Sequence, residues 1–220
     1  MANWTVVIPV KRLGAAKSRL RGAVPAARHE HLALAMLRDT AAAALACPEV
    51  AELLVVTDDP AAAAAATAAG ARVVPDRPGR GLNAAMRYGA DTVAGLAHDR
   101  AALAGDLPAL TAGPLGEALR AATVRSYVAD AADAGTTLLA APRGVPLDPQ
   151  FGVGSAAAHA RSGATRLTGD WPGLRQDVDT AADLRTVLTL GPGPHTCALL
   201  RELGLTADCG SGRRTAAGRR

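Results

Sequence analysis

The 220 residues, 49% apolar but only 2% aromatic, suffice for one α/β domain whose core is built from Ala, Val and Leu rather than rings. The net charge of +4 sits almost wholly at the C-terminal end, where Arg213, Arg214, Arg219 and Arg220 outweigh Asp208; a nearly neutral body with so few aromatics argues against nucleic acid, which needs basic surface and stacking rings. No apolar run approaches the roughly 20 residues of a membrane span, no secretory h-region opens the chain, and Cys47, Cys197 and Cys209 lack metal spacing, so the expectation is a cytoplasmic protein with reduced thiols.

Thr5–Val10 is a β-branched run that reads as a buried first strand, and the polar, basic loop Lys11–Leu20 follows it. Ala26–Ala46 has helical composition and stops at Cys47-Pro48. Glu52–Thr57 is the second strand. Asp58-Asp59-Pro60 then starts a helix with proline at its first position, and Gly70 ends it. Arg72–Val74 is the third strand, residues 81–96 are helical, and Ala101–Ala104 is the fourth strand, with Gly105-Asp106 just beyond its end. Residues 111–133 read as mostly helical with a break near Ala122–Val124, and Thr136–Ala140 as the fifth strand. Pro142–Gly154, rich in glycine and proline, reads as an active-site loop or hairpin. A short helix over Ser155–Ser162, an extended stretch over Leu174–Val178 and a helix over Ala181–Leu190 complete the pattern.

Strands alternating with helices predict an α/β fold: one Rossmann-like domain over residues 1–205, with a mostly parallel sheet covered by helices on both faces. Residues 206–220 form a basic tail expected to be disordered. In such sheets ligands gather at the carboxyl ends of the strands, near a switch in strand order. Three constellations fall there.

Lys11, Arg12, Gly14, Lys17 and Arg19 follow the first strand: four cations and a turn glycine, a plausible cradle for a polyphosphate, although no Walker A pattern is present. The alternative is a solvated basic loop. Asp106 ends an apolar run, where a carboxylate suits Mg²⁺; its alternative role is capping the helix after Pro108. Alternation along an extended Gln176–Thr180 sends Asp177 and Asp179 to one side, with Asp177 the metal candidate and Asp179 or Thr180 the helix cap. The histidines lack metal spacing and read as surface residues, and no G-x-S-x-G elbow anchors a hydrolase triad.

In order, VVIPVKRLGAAKSRL, LLVVTDD, GLNAAMRYGA, LAGDLPAL, FGVGS and DVDT resemble the phosphoenolpyruvate/2-phospho-L-lactate guanylyltransferases of coenzyme F420 biosynthesis, from about Thr5 to Leu190. The resemblance implies a nucleotide-diphospho-sugar-transferase-like fold and Mg²⁺-dependent transfer of GMP from GTP to a phosphorylated three-carbon acid. It implies that Thr137, Gly152 and Ser155 hold the acceptor's phosphate and carboxylate. It also implies that Asp106 and Asp177 ligate Mg²⁺, that Lys17 and its neighbours bind the triphosphate, and that Asn83 lies near base or ribose. Phosphoenolpyruvate is the expected acceptor, because the alanine- and arginine-rich composition suggests a high-GC actinobacterial source, where the family's members resemble that type; 2-phospho-L-lactate is the alternative. A cytidylyl or molybdopterin-guanylyl transferase of the same fold would carry a fuller glycine loop than the single Gly14 seen here. A non-catalytic nucleotide-binding regulator would bind GTP without releasing pyrophosphate. Monomer and homodimer stay open.

Overall fold

The computed structural model describes residues 3–13, 20, 22–207 and 209. Seven strands form one sheet in the order β3-β2-β1-β4-β6-β5-β7. They are β1 (Trp4–Pro9), β2 (Val50–Val56), β3 (Arg72–Val74), β4 (Asp99–Leu103), β5 (Ser126–Ala129), β6 (Thr136–Ala141) and β7 (Thr165–Arg166). The helices are α1 (His29–Leu45), α2 (Pro60–Ala69), α3 (Leu82–Arg87), α4 (Ala112–Ala121), α5 (Ser155–Arg161), α6 (Pro172–Arg175), α7 (Ala181–Leu190) and α8 (Pro194–Glu202). A π-helical turn, Tyr88–Ala94, continues α3.

Alternation along the central strand builds two cores. Val6 and Ile8 face Leu37 and Ala41 of α1 and Leu115 and Leu119 of α4. Val7 points the other way, toward Ala85, Met86 and Ala90 of α3 and its π continuation. A third cluster joins Leu32 and Met36 of α1 to Leu199 and Leu200 of α8, outside the sheet. Each fully buried leucine contributes about 2 kcal/mol through its transfer from water, so an aromatic-poor core is adequate when many small residues share it.

The expected strands over 5–10, 52–57, 72–74, 101–104 and 136–140 are all present within a few residues, as is the Asp59-capped, proline-led α2. Three expectations are corrected. Residues 111–133 are not one helical stretch: α4 ends at Ala121, and Ser126–Ala129 is a strand, buried throughout, pairing with β6 and β7. Its alanine-rich surroundings favour helix locally, but burial on both faces decides for strand. Leu174 belongs to α6 rather than to an extended run. Cys197 and Cys209 are joined as a disulfide rather than held as separate thiols. The chain reverses after α8, with Leu205 N–H bonded to Leu200 C=O, and this return is invisible in a twelve-residue spacing. Of the expected disordered tail, Asp208 and residues 210–220 lie outside the described residues. Cys47 remains a buried free thiol, which burial pushes up to about 11. Among the described residues no helix is long and apolar enough to cross a membrane.

Helix α8, absent from the sequence expectations, is anchored by one carboxylate. Asp39 of α1 accepts N–H bonds from His195 at 3.0 Å and Thr196 at 2.8 Å, at the start of α8. Asp39→Ala leaves both amides without that acceptor, and urea unfolding should show a loss of about 1–3 kcal/mol. An unchanged midpoint and slope would show that α8 is held by apolar packing alone.

Candidate active site

The carboxyl ends of β1, β4 and β5 share one edge of the sheet. Because β6 runs antiparallel to β4 and β5, its first residue, Thr136, joins them there. Strand order switches between β1 and β4, the position where open α/β sheets bind ligands. A cleft of about 740 Å³ opens at this edge. Lys11 and Arg12, Asp106, Gly152 and Ser155, and Asp177 and Asp179 all line it, so residues scattered over most of the chain meet in one place. Asp130, at the end of β5, also lines it. Asp130 directly follows β5, and Asp106 lies three residues past β4; with SYVA read as part of a helical stretch, the sequence does not single Asp130 out.

The turn carrying Asp106 is tied to α1. The Thr40 hydroxyl accepts from the Leu107 N–H at 3.1 Å while donating to the Met36 carbonyl at 2.9 Å. Asp106 does not cap α4, whose N-cap is Thr111. The segment after α6 brings Asp177 to the same cleft. Gly173 packs so closely that a Cβ there would lie 2.1 Å from the Ala109 carbonyl oxygen. Arg175 donates from Nε to the Ala129 carbonyl at 3.1 Å and from Nη2 to the Asp130 carbonyl at 2.8 Å, fastening the segment to the end of β5. Thr180, not Asp179, caps α7: its side chain accepts from Asp183 N–H, and the Asp183 carboxylate accepts from Thr180 N–H.

Asp59 steadies the entry to the basic loop by accepting from Leu13 N–H at 3.0 Å while capping α2 through Ala61 and Ala62. Burial raises its carboxyl, but these three amides and Arg12 outweigh that and hold it below the usual range. Gly14, Lys17 and Arg19 lie outside the described residues.

Thr137 is fully buried in β6 and, unlike its neighbour Thr136, is not part of the cleft's lining; its Oγ1 has no hydrogen-bond partner. Gly152 has φ 142 and Gly154 φ 70, backbone that side chains resist, so the turn before α5 depends on glycine at both. Asn83 is occupied by this loop: Nδ2 donates to the Phe151 carbonyl at 2.9 Å and Oδ1 accepts from Phe151 N–H at 2.8 Å. Two histidines expected at the surface are inside. His29 contacts the Val24 carbonyl through Nε2 at 3.0 Å, and His159, fully buried, stands behind the acceptor loop.

Sheet order and switch point define an open α/β fold with an acid- and cation-lined cleft at its ligand-binding edge. It matches a Desulfovibrio desulfuricans G20 structure described as a nucleotide-diphospho-sugar transferase, with TM-score 0.71 at 18% identity, covering 93% of this chain and 96% of that one. Residues 4–220 match the family described as guanylyl transferase CofC like, and the chain belongs to that family. A phosphoenolpyruvate guanylyltransferase of Salinispora arenicola is 58% identical over 93% of this chain and 96% of its own length. One of Geodermatophilus obscurus is 56% identical over 90% and 94%.

Proposed function

We infer that the chain is a phosphoenolpyruvate guanylyltransferase: it transfers GMP from GTP to phosphoenolpyruvate and releases pyrophosphate, the reaction that serves coenzyme F420 biosynthesis. The observation that carries this is the meeting, in one cleft, of cations from the first strand's loop, carboxylates from two distant segments, and the Gly152–Ser155 turn. Relatives at 58% and 56% identity bear that name.

The acceptor's phosphate oxygen attacks the α-phosphorus of GTP, a P–O bond forms, and the bond to the β-phosphate's bridging oxygen breaks. A phosphate monoester is already an anionic nucleophile at neutral pH, so no side chain needs to remove a proton. The task of the protein is to hold two anions together. Lys11 and Arg12, with Lys17 and Arg19 further along the loop, take the charge that grows on pyrophosphate. Ser155 and the Gly152 backbone hold the acceptor, and an acceptor oxygen would satisfy the Thr137 hydroxyl, whose isolation otherwise costs about 1–3 kcal/mol.

Asp106 and Asp177 would hold Mg²⁺. Among the described residues no three His, Cys, Asp or Glu side chains form a complete metal centre. That fits an ion usually bound by one or two carboxylates, with phosphates and water completing its shell. The ion supplies screening of the phosphate charges. We place Asn83 beneath the acceptor loop, since both ends of its amide serve Phe151.

The test is pyrophosphate release with each nucleoside triphosphate in turn and either three-carbon acid. GTP with phosphoenolpyruvate should be fastest; a preference for 2-phospho-L-lactate or for CTP would reassign the substrate. Ser155→Ala should raise the KM for phosphoenolpyruvate by about tenfold and that for GTP by much less. The reverse pattern would move this turn to the nucleotide side.

A further inference from the structure

The three acceptor residues stand on three separate segments: Thr137 on β6, Gly152 in the loop and Ser155 at the start of α5. One side chain touches all three segments. His159 lies one helical turn after Ser155, its Nδ1 is 2.9 Å from Thr136 Oγ1 beside Thr137, and its Nε2 is 2.9 Å from the Gln150 amide, two residues before Gly152. The Phe151 ring meets the imidazole edge-on at 5.0 Å, and the Tyr127 ring lies 5.9 Å away.

The amide settles the proton's place. A backbone N–H only donates, so Nε2 must be the bare, accepting nitrogen, and the ring proton belongs on Nδ1. From there it reaches the Thr136 hydroxyl.

We propose that His159, as the neutral Nδ1–H imidazole, is the positioning residue of the acceptor subsite, fixing strand, loop and helix so that Thr137, Gly152 and Ser155 converge on one anion. This rests on the assignment of those three residues to the acceptor. Burial pushes His159 down to about 4, the Arg125 guanidinium adds to this, and Asp148 and the Ser155 backbone oppose it, in keeping with a neutral ring at pH 7. Asn83 acts in the same direction: it holds both backbone groups of Phe151 while His159 holds the amide before it. The loop therefore reaches Gly152 with two successive N–H groups already committed.

His159→Leu deletes both polar contacts at similar bulk. His159→Gln keeps an acceptor oxygen within reach of the Gln150 amide. In the pyrophosphate assay His159→Leu should raise the KM for phosphoenolpyruvate by about tenfold or more while the KM for GTP moves less than about twofold, and His159→Gln should recover most of the loss. Ser155→Ala is run beside them. If Ser155→Ala is selective for the acceptor and a folded His159→Leu is not, the proposal fails and the acceptor assignment stands. If neither is selective, the assignment fails and the proposal falls with it. A long-range ¹H–¹⁵N spectrum of the wild-type protein decides independently of whether any variant folds. The Nδ1–H tautomer at neutral pH is expected; an Nε2–H tautomer or an imidazolium overturns the proposal.

Discussion

On the Mg²⁺-holding role proposed for them, Asp106→Asn and Asp177→Asn should each lower kcat for pyrophosphate release by about a thousandfold, since the loss of such a charge costs about 4 kcal/mol of transition-state stabilisation. Both residues line the cleft, from segments that meet only in the folded chain. The amide is nearly isosteric with the acid, so circular dichroism and thermal midpoint should stay close to wild type. The deficit should be largest at subsaturating Mg²⁺. A variant with near-wild-type kcat under those conditions removes its residue from the metal site. Separation of the two carboxylates onto different surfaces in a nucleotide-bound crystal would dismantle the whole catalytic account.

Gly173→Ala is the second large effect, and it involves no charged group. The new methyl would sit 2.1 Å from the Ala109 carbonyl oxygen, a backbone atom that no rotamer change can move away. Ala109 follows the turn that carries Asp106, and Gly173 precedes the segment that carries Asp177. Relief of the clash therefore shifts the two carboxylate-bearing segments relative to each other. A displacement near 1 Å costs about a hundredfold in rate, and the overpacking costs about 1–3 kcal/mol of stability. Gly113→Ala is the matched control: it lies in α4, and a Cβ there meets nothing within 4 Å. It should leave kcat unchanged and the unfolding midpoint equal or higher. A Gly173→Ala enzyme with wild-type rate and midpoint would show that the close approach has no bearing on the site.

The parallel half of the fold was legible because its strands are β-branched runs, TVVIPV and ELLVVT, bounded by turn residues, and because Asp59-Pro60 announces a helix. The antiparallel half was not. Ser126–Ala129 is four residues inside an alanine-rich stretch, and nothing local states that β6 runs against its neighbours. Direction is set by which edges remain to be paired. Helix α8 escaped notice because its anchor, Asp39, lies more than 150 residues earlier. The site was legible where chemistry is carried by type and place: Lys11 and Arg12 after β1, Asp106 after β4. The resemblance added Gly152, Ser155 and Thr137. His159 left no trace in the sequence, since a lone histidine acquires its meaning from partners at Thr136 and Gln150 that only folding brings together.

The reversed direction of β6 also constrains how far the chain can be shortened. Every other strand reaching the cleft ends there, whereas β6 begins there and carries the polypeptide to the far edge. The peptide must then climb back beside the sheet to bring Gly152 home. A six-residue strand is about 20 Å long. The eleven residues from Pro142 to Gly152 can stretch to about 40 Å at most. Fastenings at Leu96 and Asp91 fix part of the path. Excision of four or so residues would leave the return leg taut, and additions at its outer bend would have to spare the bonds from Gly144 N–H to the Leu96 carbonyl and from Arg143 N–H to Asp99. Shortening of this segment is thus limited by span, and lengthening by the amides that pin its bend.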